Sequence, residues 1–127
     1  MPGRGPARQP GRAAARIRRA PRLENPTWIT TAPHAAGRCV VGATVMAYKG
    51  WSEYDAAGEA VRQGVNDWIR HSGVFDAVVD FDRITRSPYD PQALLPFFDG
   101  GDHIHPNDKG MQAMADAVDL AALRCDR

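Results

Sequence analysis

Hydrophobic and polar positions divide the chain into regions with different periods. Cys39-Val40-Val41-Gly42-Ala43-Thr44-Val45 is a short, nearly unbroken apolar run rich in β-branched residues, which predicts a strand buried on both faces. Residues 47–54 contain Gly50 and predict a loop. From about Asp55, the positions Ala57, Val61, Val65, Trp68 and Ile69 recur at helical spacing and predict a helix with an apolar stripe. Ser72-Gly73 should stop it, with Gly73 supplying the left-handed turn. Phe75-Asp76-Ala77-Val78-Val79-Asp80-Phe81 predicts a second buried strand, and residues 85–101, with Pro88, Pro91, Pro96, Gly100 and Gly101, a long loop. Asn107 can cap a last helix with a core face of Met111, Met114, Ala115, Val118 and Ala122.

Strand, helix, strand, long loop and helix make a βαβ unit with a returning helix, and so a parallel sheet covered on both faces. Two strands are too few to stabilise such a sheet and would leave its edges unpaired. The pattern therefore predicts the C-terminal portion of a larger α/β domain over residues 34–127. Residues 1–33 form a separate Arg/Pro-rich segment, expected to be disordered. Its first 26 residues are nearly free of large apolar side chains and have too little to bury against the entropy of ordering, so disorder is the expectation.

Charge changes the picture more than composition does. The 127 residues are 43% hydrophobic and 24% charged, with a formal net charge of +1 and no apolar run long enough to span a membrane. Residues 1–23 carry seven Arg and no acid, which leaves 9 basic against 15 acidic residues, a net of −6, in the rest. A domain of that sign is a poor nucleic-acid binder. The basic segment itself has competing readings: a nucleic-acid arm, a transit peptide, an anionic-membrane tether or no role. No apolar stretch follows the arginines as a secretory signal would require, and the compartment stays open. Cys39 and Cys125 read as free thiols, Cys39 in the core.

Asp102-His103-Ile104-His105-Pro106-Asn107 carries the chemistry. An Asp three residues before a His, on a loop that opens a helix, can set a carboxylate beside an imidazole, as nucleophilic acyl transfer needs. His103 is a rival base, but its spacing from Asp102 is short and reads as a loop position. His103, His105 and Asp102 could instead ligate a metal. Asp80 and Asp82 stand where α/β sites lie, or act as caps. Trp51 and Tyr54 could line a pocket or pack on the surface.

Asp102-x-x-His105-Pro106-Asn107, with Gly110 and the helix through Met114-Ala115, resembles the closing block of the SGNH/GDSL hydrolase superfamily. Val41-Gly42-Ala43-Thr44, Glu59 through Arg70, residues 75–82 and Leu94-Leu95-Pro96 extend the likeness, towards secreted bacterial esterases, over residues 34 to 123. The resemblance implies a three-layer αβα sandwich with a parallel sheet, and a cofactor-free serine esterase acting on acyl or acetyl esters. It makes Asp102 the catalytic acid and His105 the base. It also implies a nucleophile in a Gly-Asp-Ser motif and oxyanion-hole Gly and Asn residues from two further blocks. The only serines are Ser52, Ser72 and Ser87, none of them after Gly-Asp, and Asn66-Asp67 matches the Asn block only superficially. The expectation is a truncated family member, inactive alone. The alternative is a non-catalytic remnant or half-domain whose sheet is completed by a complementing chain.

Overall fold

The computed structural model describes residues 28–124. The basic run at residues 4–22 and the disorder expected of residues 1–26 lie outside them. The elements in chain order are α1 (Trp28–Ala35), β1 (Val41–Ala43), α2 (Ala56–His71), β2 (Ala77–Val79), α3 (Phe81–Thr85), a 3-10 turn (Pro96–Phe98), α4 (Asp108–Asp116) and a second 3-10 turn (Leu120–Leu123). β1 and β2 pair in parallel with Val41 opposite Ala77, Gly42 opposite Val78 and Ala43 opposite Val79. This is a mixed fold with a small parallel sheet, an incomplete α/β fold. No helix among the described residues is long and apolar enough to cross a membrane.

Local signals fix the helix ends. Asp55 caps α2 by accepting the Gly58 N–H at 2.6 Å, and Gly73 adopts φ +73 just past its end. Asn107 caps α4 by accepting the Gly110 N–H at 3.0 Å. The periodicity predicts neither α1, which crosses the expected boundary between residues 33 and 34 and makes residues 28–33 helical rather than disordered, nor α3. The second is a single turn capped by Asp80, whose carboxylate accepts from the Arg83 N–H at 3.1 Å.

Burial departs from the expected pattern. The strands are three residues each and are not covered on both faces: Ala43 is exposed and Val78 is 38% exposed. The apolar stripe of α2 is only partly its inner face: Ile69 is buried and Val65 and Trp68 are half-buried, but its N-terminal half faces outward. Val61 is 59% exposed and Ala57 is also exposed, whereas Glu59, Arg62, Asn66 and Ile69 are buried. Met111, assigned to the core from its spacing, is 57% exposed, and Ala115 is exposed as well. Val118 and Ala122 fall beyond the end of α4. Each discrepancy has one physical source: periodicity identifies an apolar face but not what covers it.

A network of charges occupies the space under α2. Arg62 pairs with Glu59 at 2.7 Å and with Asp82 at 2.7 Å. The fully buried Asp82 also receives Arg70 at 2.8 Å and Arg86 at 3.0 Å. Arg70 reaches Asp80 at 2.7 Å, and the Thr44 hydroxyl joins the ends of the two strands by donating to Asp80 at 2.9 Å. Buried ions persist only when paired and hydrogen-bonded, and among the described residues no buried side-chain nitrogen or oxygen lacks a partner. Hydrogen bonds from Arg70 hold the Asp80 carboxyl well below the usual range. Asp80 and Asp82 thus serve the frame.

Cys39 corrects a second expectation. It is disulfide-bonded rather than a free thiol. Its Sγ lies 3.6 Å from the Leu123 carbonyl oxygen, because the C-terminal turn folds back across the start of β1. The chain's other cysteine, Cys125, lies outside the described residues.

Candidate active site

The loop from the 3-10 turn to α4 is built from its own polar groups. Its base is pinned by Asn107, whose Nδ2 donates to the carbonyls of Phe97 at 3.0 Å and Asp99 at 3.3 Å. The Gly100 N–H donates to the His105 carbonyl at 2.8 Å, closing the loop. Inside it the Asp102 carboxylate gathers three donors: the Ile104 N–H at 3.1 Å, the His105 N–H at 2.9 Å and His105 Nδ1 at 2.5 Å.

Those contacts set the chemistry of the pair. The bond from the His105 ring, then the two backbone N–H groups, hold the Asp102 carboxyl well below the usual carboxylate range, so it stays an anion. An anion at Nδ1 keeps that nitrogen protonated and leaves Nε2 as the basic atom. Among the described residues Nε2 has no hydrogen-bond partner. The imidazole is 78% exposed and lines a cavity of about 580 Å³ with Phe97, Pro106, Asn107 and Lys109. The Lys109 ammonium sits 4.3 Å from the centre of the Phe97 ring.

His103, which the sequence placed as a loop residue, is on the loop but makes a pair of its own. Its Nδ1 lies 2.6 Å from Asp99 Oδ2, and its N–H donates to Asp99 Oδ1 at 3.1 Å. The available signal was an Asp and a His four residues apart around Gly100-Gly101. Burial pushes the Asp99 carboxyl up, but the Gly101 N–H and both His103 donors outweigh it and bring it below its usual value.

Other candidates do not gather here. Tyr48 packs edge-on against Trp51 and Tyr54, with centroids 6.2 and 5.2 Å apart, so these rings brace one another. Ser87 is buried and accepts from the Tyr89 and Asp90 N–H groups, and the Ser72 hydroxyl accepts from the Val74 N–H. Ser52 is exposed, and none of the three serine hydroxyls hydrogen-bonds to His105. No group of three or more His, Cys, Asp or Glu side chains among the described residues is placed to hold a metal ion.

The chain belongs to the GDSL-like lipase/acylhydrolase family, whose model matches residues 9–118, and so carries an SGNH/GDSL hydrolase-type, esterase-class domain. No curated protein matches it.

Proposed function

We propose that Asp102 and His105 are the acid and base of a serine-dependent acyl-ester hydrolase. The observation that carries the reading is the 2.5 Å contact of Asp102 with His105 Nδ1, which leaves Nε2 open to the cavity. In the reaction Nε2 takes the proton of a serine hydroxyl as its oxygen attacks the ester carbonyl. The resulting imidazolium, stabilised by Asp102, returns that proton to the departing alcohol oxygen. Water then cleaves the acyl-serine by the same two proton transfers.

The serine comes from a different polypeptide segment, since none of the chain's three serines bonds to His105. An oxyanion donor, worth about 3 kcal/mol of barrier, comes from there too. The isolated chain should therefore hydrolyse p-nitrophenyl acetate no faster than free imidazole. Co-expression with the Gly-Asp-Ser-bearing half of a full-length relative should restore turnover. His105→Ala should abolish it, and Asp102→Asn should lower it by roughly 10⁴-fold. Restored turnover that survives His105→Ala would overturn the assignment.

A second reading, a non-catalytic half-domain that docks on a partner chain, draws on the exposed Ala57 and Val61 of α2 and the two-stranded sheet. It predicts that the complementing half binds without producing turnover.

A further inference from the structure

The Asp102–His105 pair is made wholly within its own loop. Asn107 ties down the base of that loop, but the tip at residues 101–105 needs a separate anchor to the body of the fold. His103 has the features of one. It is the one non-glycine among the described residues with positive φ, at +68, a conformation a β-carbon disfavours and glycine adopts freely. A loop shaped for its turn alone would place Gly or Asn there, so the imidazole is held in spite of its backbone.

Two contacts hold it. Asp99 takes both the ring Nδ1 and the backbone N–H, and also the Gly101 N–H at 2.8 Å. The Cβ–Cγ–Cδ2 side of His103 lies on Gly50, where an added β-carbon would come within 3.0 Å of Cγ and 3.2 Å of Cβ and Cδ2. Gly50 belongs to the loop that follows β1, and its neighbour Lys49 ties that loop to Gln92 through a backbone bond of 2.8 Å. A cavity of about 390 Å³ lined by Lys49, Leu94, Pro96 and His103 lies at the same junction.

We propose that His103 is a positioning residue for the Asp102–His105 pair: clamped to Asp99 and seated on Gly50, it anchors the loop tip so that the Asp102 carboxylate meets its three donors. This rests on the reading of that pair as the base of acyl transfer, although its test uses no turnover. His103→Gly removes the ring and relieves the backbone. His103→Asn also tolerates positive φ and puts an amide nitrogen where Nδ1 stood, which keeps a donor for Asp99.

The measurements are the melting temperature, amide hydrogen exchange at Ile104 and His105, and the carbon-13 titration of the Asp102 carboxyl. His103→Gly should melt at or above the parent temperature. Its Ile104 and His105 amides should exchange at least tenfold faster, and the Asp102 titration should move up towards the ordinary carboxylate range. His103→Asn should recover most of the parent's exchange protection. Parent-like exchange and titration in His103→Gly would overturn the proposal, as would equal loosening in the two variants. Failure of both variants to fold would assign His103 to the stability of the loop and overturn it as well. Loss of the esterase reading would leave all three measurements untouched, so the two can fail separately.

Discussion

Asn66 and Val45 exchange two hydrogen bonds: the Val45 N–H donates to Asn66 Oδ1 at 2.7 Å, and Asn66 Nδ2 donates to the Val45 carbonyl at 2.8 Å. The side-chain amide does for Val45 what a neighbouring strand would do, satisfying both backbone groups just past β1. It also fuses the middle of α2 to the end of the sheet. Asn66→Ala removes a fully buried side chain and orphans the N–H and carbonyl of Val45, at about 1–3 kcal/mol each where water does not replace them; Val45 itself is 49% exposed, which lowers the cost. Arg62 shares the carbonyl at 3.1 Å and softens that loss. The expected cost is about 2–4 kcal/mol in urea unfolding, and a value under about 1 kcal/mol would contradict the account.

Asp82 is the hub of the charge network, with three arginines on one buried carboxylate. Asp82→Ala leaves Arg62 and Arg70 facing each other without their shared anion, a loss of about 3–5 kcal/mol. Arg83 is the control. It is 69% exposed and only approaches Asp80, at 3.9 Å, so Arg83→Ala should change stability by less than about 0.5 kcal/mol. Comparable losses in the two variants would show that the network is not a buried one.

Acid should unfold the chain through the same carboxylates. Hydrogen bonds from Arg70 and Arg62 lower the folded pKa values of Asp80 and Glu59 below their unfolded values of 3.8 and 4.5. Groups depressed in this way bind protons more readily unfolded, so their stabilisation is complete well above those values and is lost as pH falls through the folded ones. The melting temperature should be flat from neutral pH to about pH 5.5 and should drop steeply below about pH 4. Asp80→Asn should flatten the acid limb, which thermal scans across pH would reveal.

The two ends of the α2 stripe give a further test. Val61 and Ile69 belong to one apolar stripe, but Val61 is exposed and Ile69 is buried. Val61→Lys should change stability by no more than about 0.5 kcal/mol, while Ile69→Ala should cost about 2–4 kcal/mol. If Val61→Lys proved the more damaging, the stripe would be covered in solution.

Short-range features were legible from the chain alone. The Asn107 cap, the Gly73 stop and the closeness of Asp102 to His105 all depend on residues within a few positions of one another, and the strand–helix–strand order follows from the succession of local periods. Backbone geometry over that span leaves few alternatives. Tertiary structure decided which side of α2 is buried, because a stripe of Ala57, Val61 and Val65 specifies an apolar face but not its partner. It alone brought Asn66 to Val45, three arginines to Asp82, the C-terminal turn to Cys39 and Gly50 beneath His103. Those contacts join residues 20 to 84 positions apart, apart from Arg70 and Arg86 at Asp82. They follow from how the elements pack, which no local period encodes.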